Sequence, residues 1–264
     1  MRNGGRKGFQ EWLDRADAPE WPTLPLTHIT RGLLADDIIR NGELSAGDED
    51  KLGKYVYLFY GRPAYRSSTD SVIKLESVCP YCFLFNSNLM DRAEGAYAFD
   101  TGAFNARLYS HVFSEDFRAE DYRLEPNSET LHKLIKATFG EIEFYLDADR
   151  SQLIPPEEGA EPWEMHARAY LELLASPGRN EPDDRICTIE VVFKDTIPLD
   201  GSLLAVIVPH TVWNDHKKSP LLRSLHSNGV EICPYKFVPG RHPEHYQTLV
   251  ESTAADLYRR MKFI

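Results

Sequence analysis

The segment Lys54–Arg66 reads KYVYLFYGRPAYR, an apolar run followed closely by two arginines. Five of its residues are aromatic, and YVYLFY is rich in residue types that favour β-strands. We therefore predict a buried strand that ends by presenting Arg62 and Arg66 in a loop. Guanidinium groups among aromatic rings suit a planar or phosphorylated ligand, because they bind phosphate oxygens in pairs while the rings stack. A surface loop anchored by its aromatic side chains is the alternative.

The whole chain has 264 residues, of which 42% are hydrophobic, enough for one large domain or two small ones. Its formal net charge of -11 argues against non-specific capture of nucleic acid by a broadly basic surface. The charge is uneven: residues 141–200 hold 15 acidic and 5 basic side chains, whereas residues 216–264 hold 4 and 8. No apolar run suits a membrane span or a secretory leader, so we expect a cytoplasmic protein with no membrane partner.

The four cysteines are too few to crosslink a chain of this length, so reduced thiols are expected. Cys79 and Cys82 have the spacing of a redox or zinc motif. They run directly into Phe83–Phe85, which is typical of the start of a strand, whereas a redox pair of this kind begins a helix and zinc needs two more ligands. We therefore expect no metal.

Two groups of β-rich segments predict an α+β fold in which two banks of strands face each other across a cleft, with helices outside. The first bank comprises LTHIT from residue 26, the aromatic segment and CFLF from residue 82. The second comprises RICTIEVVFKDTIPL, SLLAVIVP and NGVEICPYKF. Helices are predicted over residues 32–41, over a long stretch spanning 131–146, after Pro162 and over 245–264.

The proline-rich patch APEWPTLPL at residues 18–26 predicts extended chain, because each proline disfavours helix at the preceding residue. We therefore expect residues 1–23 to be an N-terminal lead-in and residues 24–264 to form a single domain. Residues 105–180 are predicted to be a mostly helical insertion in that domain.

Glu190 interrupts the otherwise apolar run Ile186–Phe193. Strand alternation places it with Thr188 and Val192, opposite the more apolar face. A buried carboxylate without partners is strongly unfavourable, so we predict that Glu190 faces water, a cation or a cavity. A solvent-facing strand residue is the alternative. By the same alternation His28 and Thr30 share one face of an early strand, as a polar pair at a pocket edge or as structural residues.

The order of these elements is more specific than any one of them. The series LTHIT, a helix, NGELSAG, YVYLFYGRPAYR, CFLF and TIEVVFKDTIPLDGSLLAVIV resembles the DarT-type ADP-ribosyltransferases, a family of bacterial toxins that use NAD to modify bases in DNA. The resemblance covers roughly residues 24–237 and is dense in residues 26–66 and 186–208. Residues 105–180 have no counterpart in it.

The resemblance implies an ADP-ribosyltransferase-like fold, with two facing β-sheets around an NAD cleft and peripheral helices. It implies that Glu190 is the catalytic glutamate and that Arg62 binds the diphosphate of NAD. Residues His28 and Thr30 would orient one end of NAD, and the tyrosines would stack on its nicotinamide. The cofactor-binding residues implied in this way are His28, Ile29, Thr30, Tyr57, Tyr60, Tyr65 and Arg66.

The implied activity is transfer of ADP-ribose to a nucleic-acid base with release of nicotinamide, in a bacterial toxin or anti-phage defence protein. Single-stranded DNA or RNA is the expected acceptor, with protein as the alternative, and an antitoxin or other protein is a further expected partner. Two other functions stay open. One is an RNA 2'-phosphotransferase-like enzyme, which needs several basic residues and no essential glutamate. The other is a non-catalytic nucleotide-sensing or partner-binding module of the same fold.

Overall fold

The structure is a computed structural model that describes residues 5–46, 55–64, 71–176, 184–213 and 219–264. The strands are β1 (Leu26–Arg31), β2 (Glu43–Leu44), β3 (Val56–Tyr60), β4 (Pro80–Phe85), β5 (Gly95–Tyr97), β6 (Arg123–Leu124), β7 (Glu190–Phe193), β8 (Ile197–Pro198), β9 (Leu203–Pro209) and β10 (Glu231–Tyr235). The helices are α1 (Gly5–Leu13), α2 (Gly32–Asn41), α3 (Thr101–Asn105), α4 (Ser128–Thr138), α5 (Ile142–Leu146), α6 (Pro156–Gly159), α7 (Met165–Ala175), α8 (Pro220–Ser227) and α9 (Pro243–Met261). The predicted mixed α+β class is confirmed.

Contacts within the chain group its residues into two compact units. Unit 1 comprises residues 1–23, 93–191 and 264, and unit 2 comprises residues 24–92 and 192–263. The predicted division into a lead-in and a single domain with an insertion stays a prediction. Within the described residues, no helix is both long and apolar enough to cross a membrane.

Unit 2 is built on a mostly antiparallel sheet in which β10, β9, β4, β1 and β3 lie side by side in that order. Strand β1 pairs with β3 on one edge and with β4 on the other, with Thr27 opposite both Phe59 and Leu84. Strand β10 runs parallel to β9, and α8 lies between them in sequence. A parallel pair needs such a crossover, because a tight turn reverses the chain.

The prediction that the late strands form a separate bank facing the first is wrong for β9 and β10. Strand β9 pairs antiparallel with β4, with Ile207 opposite Cys82, and so extends the same sheet as β1 and β3. Strands buried on both faces are apolar throughout, so their sequence indicates burial without indicating the neighbouring strand. A separate two-stranded sheet joins β2 to β8.

Helix α2 ends at the glycine that the sequence indicates. Gly42 has a φ of 70°, in the left-handed region, and its N–H donates to the carbonyls of Ile38 and Ile39. Only glycine adopts this conformation without a steric cost from a Cβ atom. The prediction of a helix over residues 32–41 is confirmed.

Unit 1 has an aromatic core around Tyr122. The ring centroids of Phe9, Phe99 and Phe113 lie 5.0, 5.1 and 5.1 Å from that of Tyr122. Tyr170 also contacts this cluster, and its hydroxyl donates to the carbonyl of Ala98. The cluster brings together side chains from α1, α7 and the segments around α3.

Residues 5–13, within the predicted N-terminal lead-in, form helix α1. Phe9, Trp12 and Leu13 on this helix are buried, and the indole N–H of Trp12 donates to the carbonyl of Gly159 at 2.8 Å. The spacing of these three residues places them on one helical face. The segment is short and begins with glycines and basic residues, which concealed that pattern.

The long helix predicted across residues 131–146 is interrupted. Helix α4 begins after Asn127, whose side chain accepts from the N–H of Thr130 at 2.9 Å, and it ends at Thr138. Gly140 then has a φ of 78°, which turns the chain before α5. The same apolar period continues on both sides of the glycine, so periodicity alone joined the two helices.

Candidate functional site around Glu190

Glu190 is the first residue of β7 and only 2% of its surface is exposed. Its Oε1 atom accepts two hydrogen bonds from Thr101, one from the hydroxyl at 2.5 Å and one from the backbone N–H at 3.3 Å. Among the described residues, Oε2 receives no hydrogen bond. One oxygen of the carboxyl group is therefore fixed, while the other is left for a further partner.

Asp100 lies directly before Thr101 and fixes the start of α3. Its Oδ1 accepts from the backbone N–H of Ala103 at 2.8 Å, as an N-cap side chain does. Its Oδ2 lies 3.0 Å from Nη1 of Arg185, which belongs to the short 3₁₀ helix Asp184–Cys187. These contacts place a second carboxylate and a guanidinium close to Glu190.

The surroundings of Glu190 favour its protonated form. Burial raises its pKa, the charge of Asp100 raises it further, and the hydrogen bonds from Thr101 together with the charge of Arg185 lower it, with a net value of about 8. Burial acts in this direction because a carboxylate loses its hydration in a low-dielectric interior. At neutral pH the carboxyl group is therefore mostly neutral.

The burial of Glu190 shows that its carboxyl group does not face open water, whereas the nearby guanidinium of Arg185 is a cation of the kind predicted beside it. Thr188 and Val192, on the same face of the segment, are buried as well. Both faces are covered, and the hydrogen bonds from Thr101 and the raised pKa make a carboxyl group tolerable there. The alternative of a solvent-facing strand residue is wrong for the same reason.

In unit 2 the structure brings His28 and Tyr57 together. Nδ1 of His28 lies 3.3 Å from the carbonyl oxygen of Tyr57. Burial lowers the pKa of His28, which outweighs the opposing effect of that hydrogen bond. A neutral ring that donates from Nδ1 leaves Nε2 as an acceptor. Ile29 is half-buried and Thr30 is buried on the same strand.

Arg62 follows β3 as predicted, but its side chain is 2% exposed. Its guanidinium forms an ion pair with Glu251 of α9 at 3.1 Å. Gln247, one turn earlier on α9, donates to Glu251 at 2.7 Å and to the carbonyl of Pro63 at 2.6 Å. The turn after β3 is thus fastened to α9, and the alternative of an exposed surface loop is wrong for Arg62.

Tyr60 is fully buried, and its hydroxyl accepts from the backbone N–H of Leu24 at 3.1 Å. Burial raises its pKa. The next residue, Gly61, accepts a hydrogen bond from the hydroxyl of Tyr258 on α9. The ring of Tyr60 is therefore part of the unit 2 core. Tyr65 and Arg66 lie outside the described residues.

The predicted convergence of His28, Arg62 and Glu190 stays a prediction, because Glu190 belongs to unit 1 and the other two to unit 2. Sequence reasoning missed Asp100, Thr101 and Arg185. An aspartate before Thr-Gly is a signal for a helix N-terminus, so the capping role of Asp100 was accessible. The contact between Thr101 and Glu190 joins residues 89 positions apart, and no local pattern reports such a contact.

The remaining chemistry-bearing groups do not form a metal site within the described residues, where no cluster of three or more His, Cys, Asp or Glu side chains is suited to hold an ion. All four cysteines lie among the described residues, are buried and form no disulfide bond. Comparisons of the chain with protein-family models, curated proteins and solved structures find no match. The geometry around Glu190 and the sequence resemblance are therefore the features that bear on function.

Proposed function

We propose that the protein is an NAD-dependent ADP-ribosyltransferase with an ADP-ribosyltransferase-like fold, and that Glu190 is its catalytic residue. The observation that supports this most strongly is the state of Glu190: buried, with a raised pKa, and held by Thr101 through one oxygen only. Strongly perturbed pKa values cluster at functional sites, where burial and neighbouring like charges are arranged to shift them. The order of sequence elements around it resembles the DarT-type enzymes.

The reaction would break the bond between the ribose C1′ and the nicotinamide nitrogen, with the electron pair going to that nitrogen. A lone pair of the acceptor base forms the new bond to C1′, and the base then loses a proton. The transition state resembles an oxocarbenium ion, so a negative charge near the ribose stabilises it. Ionised Glu190 would supply this charge through Oε2 and accept the proton released by the base.

The raised pKa of Glu190 fits a substrate that carries a positive charge. The oxidised nicotinamide ring of NAD is cationic, and a cation nearby lowers the pKa of a carboxyl group. Binding would therefore ionise Glu190 when the substrate is in place. In the free protein the group stays neutral, which spares the interior a buried anion.

The other residues contribute unequally to this proposal. His28, neutral and with Nε2 as an acceptor, is suited to receive a hydrogen bond from a ribose hydroxyl or an amide. Arg62 would have to exchange Glu251 for the diphosphate of NAD, and its burial disfavours that exchange. The proposal accordingly depends on Glu190 first, with a nucleic-acid base as the acceptor implied by the resemblance.

The test is release of nicotinamide from labelled NAD, with single-stranded DNA, RNA and protein offered as separate acceptor pools. We expect label to enter a nucleic-acid pool, and Glu190→Gln to slow release by roughly a hundredfold to a thousandfold, as loss of one charged transition-state contact does. Glu129→Gln, an exposed glutamate on α4 paired with Lys133, is the matched control and should leave the rate unchanged. Equal rates for Glu190→Gln and the wild type, or no release with any acceptor, would refute the proposal.

A second candidate is the non-catalytic nucleotide-sensing module. The ion pair of Arg62 with Glu251 and the 2% exposure of Glu190 favour it, because both arrangements are compatible with a purely structural role in a protein that catalyses no reaction. Calorimetry of NAD binding, combined with mass spectrometry of the products, separates the two. Heat of binding without nicotinamide release assigns the module, whereas binding with release assigns the enzyme.

A further inference from the structure

Asp100 connects three parts of the surroundings of Glu190. Through Oδ1 it caps α3 by accepting from Ala103, which fixes the backbone at Thr101. Through Oδ2 it holds the guanidinium of Arg185 at 3.0 Å. Thr101, the next residue, directs both its hydroxyl and its N–H at Oε1 of Glu190. A single side chain therefore fixes the donor of the hydrogen bonds and the nearby cation.

We infer that Asp100 and Arg185 are positioning residues that hold Thr101 against Glu190 and set the pH at which Glu190 ionises. This inference deepens the proposed function by naming what controls the charge of the catalytic residue. It rests on that function only where turnover is concerned. The ionisation itself is a property of the free protein.

Within the part of unit 1 that the structure describes, the charged and titratable groups that act on Glu190 come from three segments. Asp100 precedes α3, Arg185 lies in the 3₁₀ helix Asp184–Cys187, and Tyr97 lies on β5. Tyr97 donates its hydroxyl to Glu120 at 2.9 Å, and its pKa is raised, so it stays neutral across the range of interest. The charges that act on Glu190 and can be altered independently of it are therefore those of Asp100 and Arg185.

The two charges act in opposite directions. The carboxylate of Asp100 repels a negative charge on Glu190, whereas the guanidinium of Arg185 attracts it. Removing the first should lower the pKa of Glu190, and removing the second should raise it. A purely structural role would predict no such opposition, because loosening the site from either side would admit water and move the pKa in one direction.

The experiment follows the titration of Glu190 in the full chain, without NAD, by isotope-edited infrared or carbon NMR spectroscopy of labelled glutamate, with the signal assigned by its loss in Glu190→Gln. Asp100→Asn keeps the cap, since asparagine is as good an N-cap as aspartate, and removes the charge. We expect it to lower the pKa of Glu190 by about one unit or more, and Arg185→Gln to raise it, as single nearby charges do.

Asp149→Asn is the matched control. Like Asp100, Asp149 is an N-cap in unit 1, at the start of the short 3₁₀ helix Arg150–Gln152, so the same substitution is made in a similar local structure. Its side chain contacts Ser151 rather than Glu190. It should leave the titration of Glu190 unchanged. Shifts of the same sign for Asp100→Asn and Arg185→Gln, or no shift in either, would overturn the inference.

The titration of Glu190 and the nicotinamide-release assay can fail independently of each other. If the wild type releases nicotinamide, the acid limb of kcat/KM should move to lower pH in Asp100→Asn and to higher pH in Arg185→Gln. If the wild type releases none, the proposed function fails, and the titration still decides the inference. If Asp100→Asn does not fold, two other variants test the inference. Arg185→Gln should raise the pKa of Glu190. Thr101→Ser keeps the hydroxyl donor and should leave that pKa near the wild-type value.

Discussion

Arg62 in unit 2 and Glu190 in unit 1 are equally buried, each with 2% of its surface exposed, but their surroundings are opposite. Arg62 is paired with the carboxylate of Glu251, which a buried cation requires. Glu190 lies near another carboxylate, Asp100, which raises its pKa. The first arrangement stabilises the charged form of the buried residue, and the second opposes it.

The partners of a buried charged group indicate whether it has a structural or a functional role. A charge with a complementary partner fixes the structure around it, here by joining the turn after β3 to α9. A carboxyl group whose ionisation is opposed stores a free-energy difference that a cationic ligand can release. We therefore interpret Arg62 mainly as an anchor and Glu190 as the functional group.

The largest effect on stability is expected from removing the anchor. Arg62→Met should lower the free energy of unfolding by about 3 kcal/mol, because it removes the cation that is paired with the carboxylate of Glu251. Chemical denaturation measures this. The control is Arg259→Met, which breaks an exposed pair with Asp256 and should cost less than about 1 kcal/mol. Equal costs at both sites would mean that burial of the Arg62 pair adds nothing.

The next effect concerns Glu190 and depends on pH. Its pKa is raised from an ordinary value near 4.5 to about 8, so between these values the unfolded chain has lost a proton that the folded protein retains. Stability is therefore highest at or below pH 4.5 for this group and falls as pH rises toward 8. Glu190→Gln removes the titration and should gain roughly 3 kcal/mol over the wild type between pH 5 and pH 8, at about 1.4 kcal/mol per pH unit. A constant difference across that range would contradict the raised pKa.

A smaller effect tests whether Tyr60 belongs to the core or to a ligand site. Tyr60→Phe leaves the backbone N–H of Leu24 without its acceptor and should cost about 1 to 2 kcal/mol. The Michaelis constant for NAD should not change, because the ring is fully buried. Tyr55→Phe, at a half-buried tyrosine before β3, is the control. A raised Michaelis constant with unchanged stability would restore the predicted stacking role of Tyr60.

The smallest effect is expected at His28. Because burial lowers its pKa, the unfolded chain binds a proton below about pH 6.5 before the folded protein does, and stability falls as pH falls. His28→Asn should weaken this acid dependence relative to the wild type in thermal unfolding. An unchanged dependence would show that the pKa of His28 is not lowered in the folded protein.

Much of the fold was accessible from the sequence because its signals are local. Gly42 ends α2 where expected, and the aromatic run at Val56–Tyr60 forms a strand. The pairing between strands could not be predicted from the sequence, because β9 is apolar on both faces and nothing in its sequence indicates that it pairs with β4. Gly140, which divides α4 from α5, carried a local signal that the longer apolar period concealed.

The site divides in the same way. Glu190 could be singled out because it is the acidic residue in an apolar run. Its burial and its contact with Thr101 could not, because they depend on a segment 89 residues away. Arg62 was predicted to end a strand, and it does, but its pairing with Glu251 joins residues 189 positions apart. Residue types are local information, whereas the charge state of a buried group depends on the tertiary structure around it.

The most direct test of the account measures activity and stability together in Glu190→Gln at pH 8. We predict that nicotinamide release from NAD falls at least about a hundredfold while the free energy of unfolding stays equal to or above that of the wild type. Such a result separates a functional residue from an anchor. If Glu190→Gln releases nicotinamide at the wild-type rate, or loses as much stability as Arg62→Met does, Glu190 is not the catalytic residue.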